Sequence, residues 1–509
     1  MLMLSMLGTV LVFYATTWGV WAFSDSAAYL SCARNFNAGL GISMTRADGL
    51  ITPFTLFPPG YAFLLSRIVL LAGDFILAAR IINAVSFGAL IFTITWGSLV
   101  LSENMLIALA SGLLVLAAPV MLENFTGLMS EAVFLFLFYG SFFFTQLSIQ
   151  KQKKHWFMLA MLFSALAPLV RYIGVMLCAL NPLILLVFSK SAWKEKMRKA
   201  VLFGSLTSLP IAIWFMESKR ATHTLGGRSI LFPAEVGQKL LTFLKNAFGI
   251  LRTWIPYMGY RVNIIPDGSK VGIVLGALSA ILALDLFFYL KKRKTTSMGI
   301  LPRWMFSATL YIVVYLMVLA FSCVFASVPP ILNSRLFSPL WPALVLLCIC
   351  GGAFLIEQFA IPWKKPATIL MMVGLLLPLR FYALRTLADA RDVHENGYGF
   401  TSRAIQTSGF LQAVEGLPYD TPMIANTPAL VLFYINRMPY ELNPIPSERL
   451  GDGNSSMDVL FSTQNAVLIV DYTSLRNTYS DWSTRLETLT SGLDIIFQDE
   501  IGGIYFFPK

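Results

Sequence analysis

The chain has 509 residues, of which 57% are hydrophobic and only 13% charged, and its formal net charge is +11. Soluble domains carry about a quarter charged residues, so this composition excludes an ordinary soluble protein. The positive charge does not indicate nucleic-acid binding, because the lysines and arginines cluster in short loops between long apolar runs. Such loops are typical of the cytoplasmic face of membrane proteins.

The apolar runs predict about eleven transmembrane helices, since each run can cross a hydrocarbon core of roughly 30 Å. The first run lacks a basic start and a small-residue cleavage site, which favours an uncleaved helix. The segment 60–72 is too short to span and is expected to lie at the interface or to re-enter. The predicted spans are 3–23, 77–100, 104–121, 129–148, 156–170, 172–188, 200–217, 271–290, 304–326, 336–357 and 367–384.

The basic loops predict the orientation. With a cytoplasmic N-terminus, the clusters in loops 149–155, 189–199, 291–303 and 358–366 all fall on the inside, as the positive-inside rule requires. Residues 1–384 are therefore predicted to be a membrane domain with long outside loops at 24–76 and 218–270. We call residues 385–509 the tail, which is predicted to be a soluble extracytoplasmic domain.

The tail contains more acidic than basic residues and reads as a small α/β domain. An amphipathic helix is predicted over 402–417, a strand over 423–425 and a helix from a Thr427 cap through Ile435. A buried strand at 466–470 and a polar helix near 473–490 follow, and strands at 494–497 and 503–507 end the chain. The predicted fold class is thus a polytopic α-helical membrane protein with a C-terminal α/β domain.

The segment after the first span contains a candidate general base. Asp25 and Tyr29 are four residues apart on one face of a predicted helix that begins at the membrane surface. A carboxylate at this depth can take the proton of an acceptor hydroxyl beside a lipid-linked donor. The alternative is that Ser24 or Asp25 only caps the helix, since both residue types are favoured N-caps.

Three further charged residues lie at the same predicted outside surface. Glu131 opens the fourth span, where it is either functional or favourable to the helix dipole. Arg171 lies between the fifth and sixth spans, and Arg335 precedes the tenth. Guanidinium groups bind phosphate bidentately, although both arginines can instead anchor the protein to lipid headgroups. Glu123 is expected to be a solvated loop residue.

The loop 218–270 combines basic residues, including Arg228, with Trp254, Tyr257 and Tyr260. These side chains can line a site for a sugar or a lipid phosphate, or they can rest on lipid headgroups. Only three histidines are present, and they are not clustered. The sequence contains no Walker loop, HExxH or Gly-x-Ser-x-Gly motif, which argues against an ATPase, a metalloprotease and a serine hydrolase. No metal-binding residues and no cofactor are predicted.

Together these features resemble the C-type glycosyltransferases that use polyprenyl-phosphate sugars, in particular the protein-mannosyltransferase and aminoarabinose-transferase-like superfamily. The resemblance spans most of the chain through short segments in a shared order. They are Asp25-Ser-Ala-Ala-Tyr29 with Ala33-Arg34-Asn35, Phe57-Pro58-Pro59-Gly60-Tyr61, Ala79-Arg80-Ile81-Ile82-Asn83-Ala84, Ser130-Glu131, Arg171-Tyr172-Ile173-Gly174 and Ser334-Arg335-Leu336-Phe337-Ser338-Pro339.

The resemblance implies a membrane enzyme that moves a sugar from a lipid phosphate to an acceptor on the extracytoplasmic face, with inversion and without a metal. It implies catalytic roles for Asp25, as the base, and for Glu131. Substrate-binding roles are expected for Tyr29, Arg34, Arg171, Arg228 and Arg335. Loop 24–76 contains no lysine and Ser26 follows Asp25, so the sequence departs from two branches of the family. The acceptor is therefore open between lipid, glycan and protein.

Two other classes of function fit the composition. A transporter or flippase for a lipid-linked or anionic substrate would use the charged residues as a path through the membrane. Against it, the charges concentrate at one surface and no inverted repeat is found. A scaffold whose tail binds a partner is the third class.

Overall fold

A computed structural model of the protein describes residues 1–45, 50–224, 226–227, 229–256, 300–358, 361–418, 421–442 and 466–506. The predicted span at 271–290 and the candidate Arg228 lie outside the described residues. The described part of residues 1–396 consists of helices and connecting loops, with one small antiparallel pair of strands, Ser43–Thr45 and Ile51–Pro53.

The α-helices of this region are, in chain order, Leu2–Ala15, Ser24–Asn37, Gly60–Ala72, Phe75–Ser102, Met105–Leu116, Pro119–Phe125, Glu131–Lys151, Lys154–Val170, Val175–Phe188, Trp193–Thr222, Val236–Thr253, Ile300–Phe325, Ser334–Phe337, Leu340–Glu357 and Ile361–Asn396. A short 3₁₀ turn at Tyr172–Gly174 links the eighth and ninth of these.

Six described helices are long and apolar enough to cross a membrane, and a seventh span results if one bent pair is counted. That pair, Met105–Leu116 and Pro119–Phe125, bends by 61°. Proline disfavours helical backbone at the residue before it, so Pro119 explains the break within the predicted span 104–121. Four shorter apolar helices accompany them. The protein is therefore polytopic and helical, and eleven spans stay a prediction.

Two predicted span ends are wrong. The first helix ends at Ala15 instead of residue 23, and Trp21 and Ala22 form backbone bridges to Gly127 and Gly399. The last helix continues past residue 384 to Asn396. Its polar end carries ion pairs one helical turn apart, such as Arg391 with Glu395 at 2.8 Å, which support a helix in water.

The helix Glu131–Lys151 is the centre of the bundle, because 89% of its most apolar stretch is buried. Aromatic side chains fill the space around it, and the rings of Phe138 and Tyr311 meet edge to face at 5.2 Å. Buried Asn181 donates to the hydroxyls of Ser141 and Ser164 at 2.6 and 2.9 Å, so this polar group is satisfied inside the core. A rigid central helix fixes the position of Glu131 at its first turn.

The tail forms a mixed five-stranded sheet. From one edge to the other the strands are Tyr440–Glu441, Met423–Ala425, Val467–Asp471, Gly502–Phe506 and Asp494–Gln498. The first three strands are parallel to one another. Gly502–Phe506 runs antiparallel to both of its neighbours. Its described helices are Arg403–Gln406, Gly409–Glu415, Pro428–Ile435, Tyr472–Thr478 and Trp482–Thr490.

The helix predicted over 402–417 is in fact two short helices. Ser408 interrupts it, because its hydroxyl accepts the amide of Leu411 and caps the second helix. The polar helix predicted near 473–490 is likewise two helices, the first of which is capped by Asp471 through the amides of Thr473 and Ser474. The predicted strands are confirmed to within a residue or two among the described positions.

Candidate functional site

A cavity of about 1000 Å³ opens at the end of the helical bundle that faces the tail. Its lining includes Asp25, Tyr29, Glu131, Arg171 and Arg335, which come from segments far apart in the sequence. The structure thus brings five of the seven predicted site residues to one place. Arg228 lies outside the described residues, and Arg34 faces elsewhere.

Asp25 lies in the first turn of the helix Ser24–Asn37. The N-cap position belongs to Phe23, whose amide donates to the Ser26 hydroxyl at 3.1 Å. The alternative in which Ser24 or Asp25 is the N-cap residue is therefore wrong. The Asp25 side chain is 40% exposed and lines the cavity, so an acceptor can reach its carboxylate.

Glu131 is placed very differently, because its side chain is only 4% exposed and lies between two guanidinium groups. Arg171 Nη1 is 2.6 Å from Glu131 Oε2, and Arg335 Nε is 3.1 Å from Glu131 Oε1. One buried carboxylate therefore holds two arginines that the sequence separates widely. Such an arrangement holds the two guanidinium groups close to one negative charge.

Arg335 also connects this buried pair to Asp25, with its Nη2 atom 3.9 Å from Asp25 Oδ2. Its guanidinium carbon lies 5.6 Å from the centre of the Trp21 ring, within the range of a cation–π contact. Trp254 donates to the hydroxyl of the neighbouring Ser334 at 3.0 Å. Arg335 thus contacts two separate segments, the one that contains Trp21 and Asp25 and the one that contains Glu131.

Tyr29 completes the inner wall of the cavity. Its hydroxyl donates to Ser130 Oγ at 3.1 Å, and Arg171 Nη1 donates to the same oxygen at 3.2 Å. Burial raises the pKa of the Tyr29 phenol above its usual range, so the hydroxyl stays protonated and can donate. Tyr29 and Arg171 are therefore linked through the Ser130 hydroxyl.

Arg34 does not line the cavity. Its Nη1 atom donates to the carbonyls of Phe433 and Leu432 at 2.7 and 3.4 Å, near the end of the tail helix Pro428–Ile435. Burial lowers the pKa of Arg34 to about 10, partly offset by Asp74, so the side chain is still a cation at neutral pH. A contact of Arg34 with substrate stays a prediction that this geometry does not favour.

The lining of the cavity also contains residues that the sequence analysis did not single out as site residues. They are Trp21, Glu123, Arg385, Asp389 and Asp392. Trp21 was hidden in the first apolar run, and the last three were assigned to the tail. The spacing of Arg385, Asp389 and Asp392 by four and three residues was the available signal for a continuing helix.

Among the residues that the structure describes, no group of three His, Cys, Asp or Glu side chains is arranged to hold a metal ion. The cations that face the candidate base are guanidinium groups. Two guanidinium groups at fixed positions can bind the oxygens of one phosphate and can stabilise the charge that develops on a departing phosphate.

No protein-family model and no curated protein matches the sequence. Solved structures do match the fold. ArnT from Cupriavidus metallidurans bound to undecaprenyl phosphate is 13% identical with a TM-score of 0.57, over 99% of this chain and 97% of that one. The chain has the GT-C fold.

The apo structure of the same ArnT gives a TM-score of 0.58 at 14% identity, again over 99% and 97% of the two chains. Archaeal oligosaccharyltransferase AglB from Archaeoglobus fulgidus, in complex with an inhibitory peptide and a dolichol-phosphate, gives 0.53 at 10% identity, over 99% of this chain and 74% of that one. The GT-C fold expected from the resemblance is thereby confirmed.

Proposed function

We propose that the protein is an integral membrane glycosyltransferase that moves a sugar from a polyprenyl-phosphate donor to an acceptor hydroxyl. The observation that carries this proposal is the contact of Arg335 with both carboxylates, at 3.1 Å from Glu131 and 3.9 Å from Asp25 in one cavity. In this contact a guanidinium group that can bind the leaving phosphate lies beside a carboxylate that can act as the base. The two solved GT-C structures that hold a polyprenyl or dolichol phosphate support the choice of donor.

The reaction is a single displacement at the anomeric carbon. The acceptor oxygen forms a bond to that carbon while the bond from carbon to the phosphate oxygen breaks. The electron pair leaves with the lipid phosphate, and the acceptor proton passes to the Asp25 carboxylate. The acceptor oxygen attacks the face of the anomeric carbon opposite the departing phosphate, so the configuration at that carbon inverts.

In this mechanism the two acids have different tasks. Asp25 is the base, since its side chain is 40% exposed to the cavity. Glu131 positions Arg171 and Arg335, since its own side chain is only 4% exposed and is already engaged by both. The arginines bind the donor phosphate and stabilise its charge as the bond breaks. The expected extracytoplasmic location of the cavity and the tail belongs to the same proposal.

The test is transfer by the purified full-length protein, with a polyprenyl-phosphate sugar radiolabelled in the sugar. Wild-type protein should release unlabelled lipid phosphate and move label to the acceptor fraction. Asp25→Asn should lower the rate by a factor of about 100 or more, as loss of a general base does. Asp494→Asn, an exposed acid at the start of a tail strand, serves as the control and should keep the wild-type rate.

Movement of intact donor across the membrane of proteoliposomes, without release of lipid phosphate, would instead identify a transporter and refute the proposal. Equal rates for Asp25→Asn and wild type would remove Asp25 from the chemistry.

A further inference from the structure

The segment that precedes Asp25 makes backbone hydrogen bonds to two other chain segments, one on each side. On one side the Trp21 amide donates to the Thr126 carbonyl, and the Leu128 amide donates to the Trp21 carbonyl, both at 2.8 Å. On the other side the Phe400 amide donates to the Ala22 carbonyl at 2.9 Å. The backbone that leads into Asp25 is therefore fixed both by the loop before Glu131 and by the tail.

Side chains add to the contact with the tail. The Thr401 hydroxyl donates to the Val20 carbonyl at 2.9 Å. Gly399 has a φ angle of 63°, and a Cβ atom at this position would lie 2.3 Å from the Ala22 carbonyl oxygen. Only glycine permits this approach, since other residues would meet both the strained φ and the clash.

Arg34 makes a second connection, at the far end of the same helix. It donates to the Phe433 and Leu432 carbonyls in the last turn of the tail helix Pro428–Ile435. The Leu432 carbonyl also accepts the amide of Asn436 at 3.1 Å, so the shorter contact of Arg34, with the Phe433 carbonyl, is the stronger one. A cation at the last turn of a helix is favoured by the helix dipole. Arg34 follows Asp25 by nine residues, which corresponds to roughly 13 Å along the helix. The tail therefore contacts the chain near both ends of this helix.

From these contacts we propose that the tail holds Asp25 in place, and that Arg34 and Gly399 are the positioning residues through which it acts. The inference rests on the proposed function, because it assigns the tail a part in the chemistry of that site. A base has to lie within hydrogen-bond reach of the proton that it accepts, and a shift of about 1 Å can cost up to about 100-fold in rate. Two contacts from one folded region limit both the tilt and the translation of the helix.

The experiment compares Arg34→Ala and Gly399→Ala with two matched controls in the full-length protein. Arg437→Ala removes another arginine that donates to two carbonyls, those of Pro418 and Thr421, but within the tail. Gly492→Ala strains another left-handed glycine, with φ 76°, away from Ala22. We expect kcat to fall about tenfold or more in the first two variants while KM for the donor stays within about twofold.

Hydrogen exchange supplies a readout that needs no activity. Amides of residues 24–37 should exchange faster in Arg34→Ala and Gly399→Ala than in the two controls, since their helix has lost a fixed end. Arg34→Lys keeps the charge and one donor, so its kcat should lie between those of wild type and Arg34→Ala; it also serves if Arg34→Ala does not fold.

The proposal is overturned if exchange over 24–37 and kcat are the same in the test variants as in the controls. It is overturned as well if KM alone rises, because that would make Arg34 a substrate-binding residue. A wild-type protein without transferase activity would refute the proposed function, and the exchange comparison would still decide whether the tail fixes this helix.

Discussion

Replacement of Glu131 by glutamine tests the central claim about the site, that one buried carboxylate holds two arginines. The substitution keeps the shape of the side chain and removes its charge. Arg171 and Arg335, at 2.6 and 3.1 Å, then lose their shared counter-charge. Loss of one partner from a buried ion pair costs about 3–5 kcal/mol of folding free energy.

Two features of the site reduce this cost. The glutamine oxygen still accepts a hydrogen bond from one guanidinium, worth about 1 kcal/mol. Arg335 also keeps Asp25 at 3.9 Å as a partial counter-charge. We therefore expect Glu131→Gln to lower the free energy of unfolding by about 3 kcal/mol. Glu415→Gln, at the exposed end of a tail helix, should change it by less than about 0.5 kcal/mol.

The assay is thermal unfolding in detergent, with and without a polyprenyl phosphate. A phosphate supplies the missing negative charge, so it should stabilise Glu131→Gln more than it stabilises the wild type. A ligand present at a hundred times its Kd stabilises a protein by about 2.7 kcal/mol, which is large enough to restore most of the expected loss. Equal stability of Glu131→Gln and wild type, with equal phosphate shifts, would refute this account of the pair.

The remaining predictions concern single contacts of the site. Gly127→Ala should destabilise the protein by about 2 kcal/mol in thermal unfolding, because its Cβ would lie 2.3 Å from the Trp21 ring; Gly237→Ala, with open space, should not destabilise it. Arg335→Lys should raise KM for the donor about tenfold in the transfer assay, since lysine loses bidentate binding, and an unchanged KM would contradict a phosphate role. Tyr29→Phe should lower stability by about 1 kcal/mol in thermal unfolding, because one buried hydrogen bond is lost, and an unchanged midpoint would argue against that bond.

The sequence predicted which residues lie in the site better than it predicted which of them contact one another. Asp25 and Arg335 were found because each follows or precedes a long apolar run on the same predicted face, and charge at such a depth is conspicuous. The pairing of Glu131 with both arginines could not be predicted, since it depends on how three distant helix ends meet. For the same reason Glu131 was assigned a catalytic task, whereas its burial favours a positioning one.

Other residues were misplaced because hydropathy records composition and not backbone direction. Trp21 lies in an apolar run, so the sequence assigned it to the first span, although that helix ends at Ala15 and the following residues pair with two other segments. Arg34 was grouped with substrate-binding residues through its neighbours in the motif. Arg34 in fact donates to two backbone carbonyls of the tail. Every residue has a backbone carbonyl, so the sequence does not indicate which carbonyls bind a side chain.

The interior beneath the site favours chemistry over transport. A transport path would have to continue from the cavity past Glu131 along the central helix. Phe134, Phe138 and Phe142 occupy that direction on successive turns of the helix, each with at most 1% of its surface exposed. Packed aromatic rings leave no room for a sugar or a phosphate, and burial of such a group without polar partners costs several kcal/mol. In the described part of the bundle these three rings therefore close the direction that a transport path past Glu131 along the central helix would take, and this favours a transferase over a transporter.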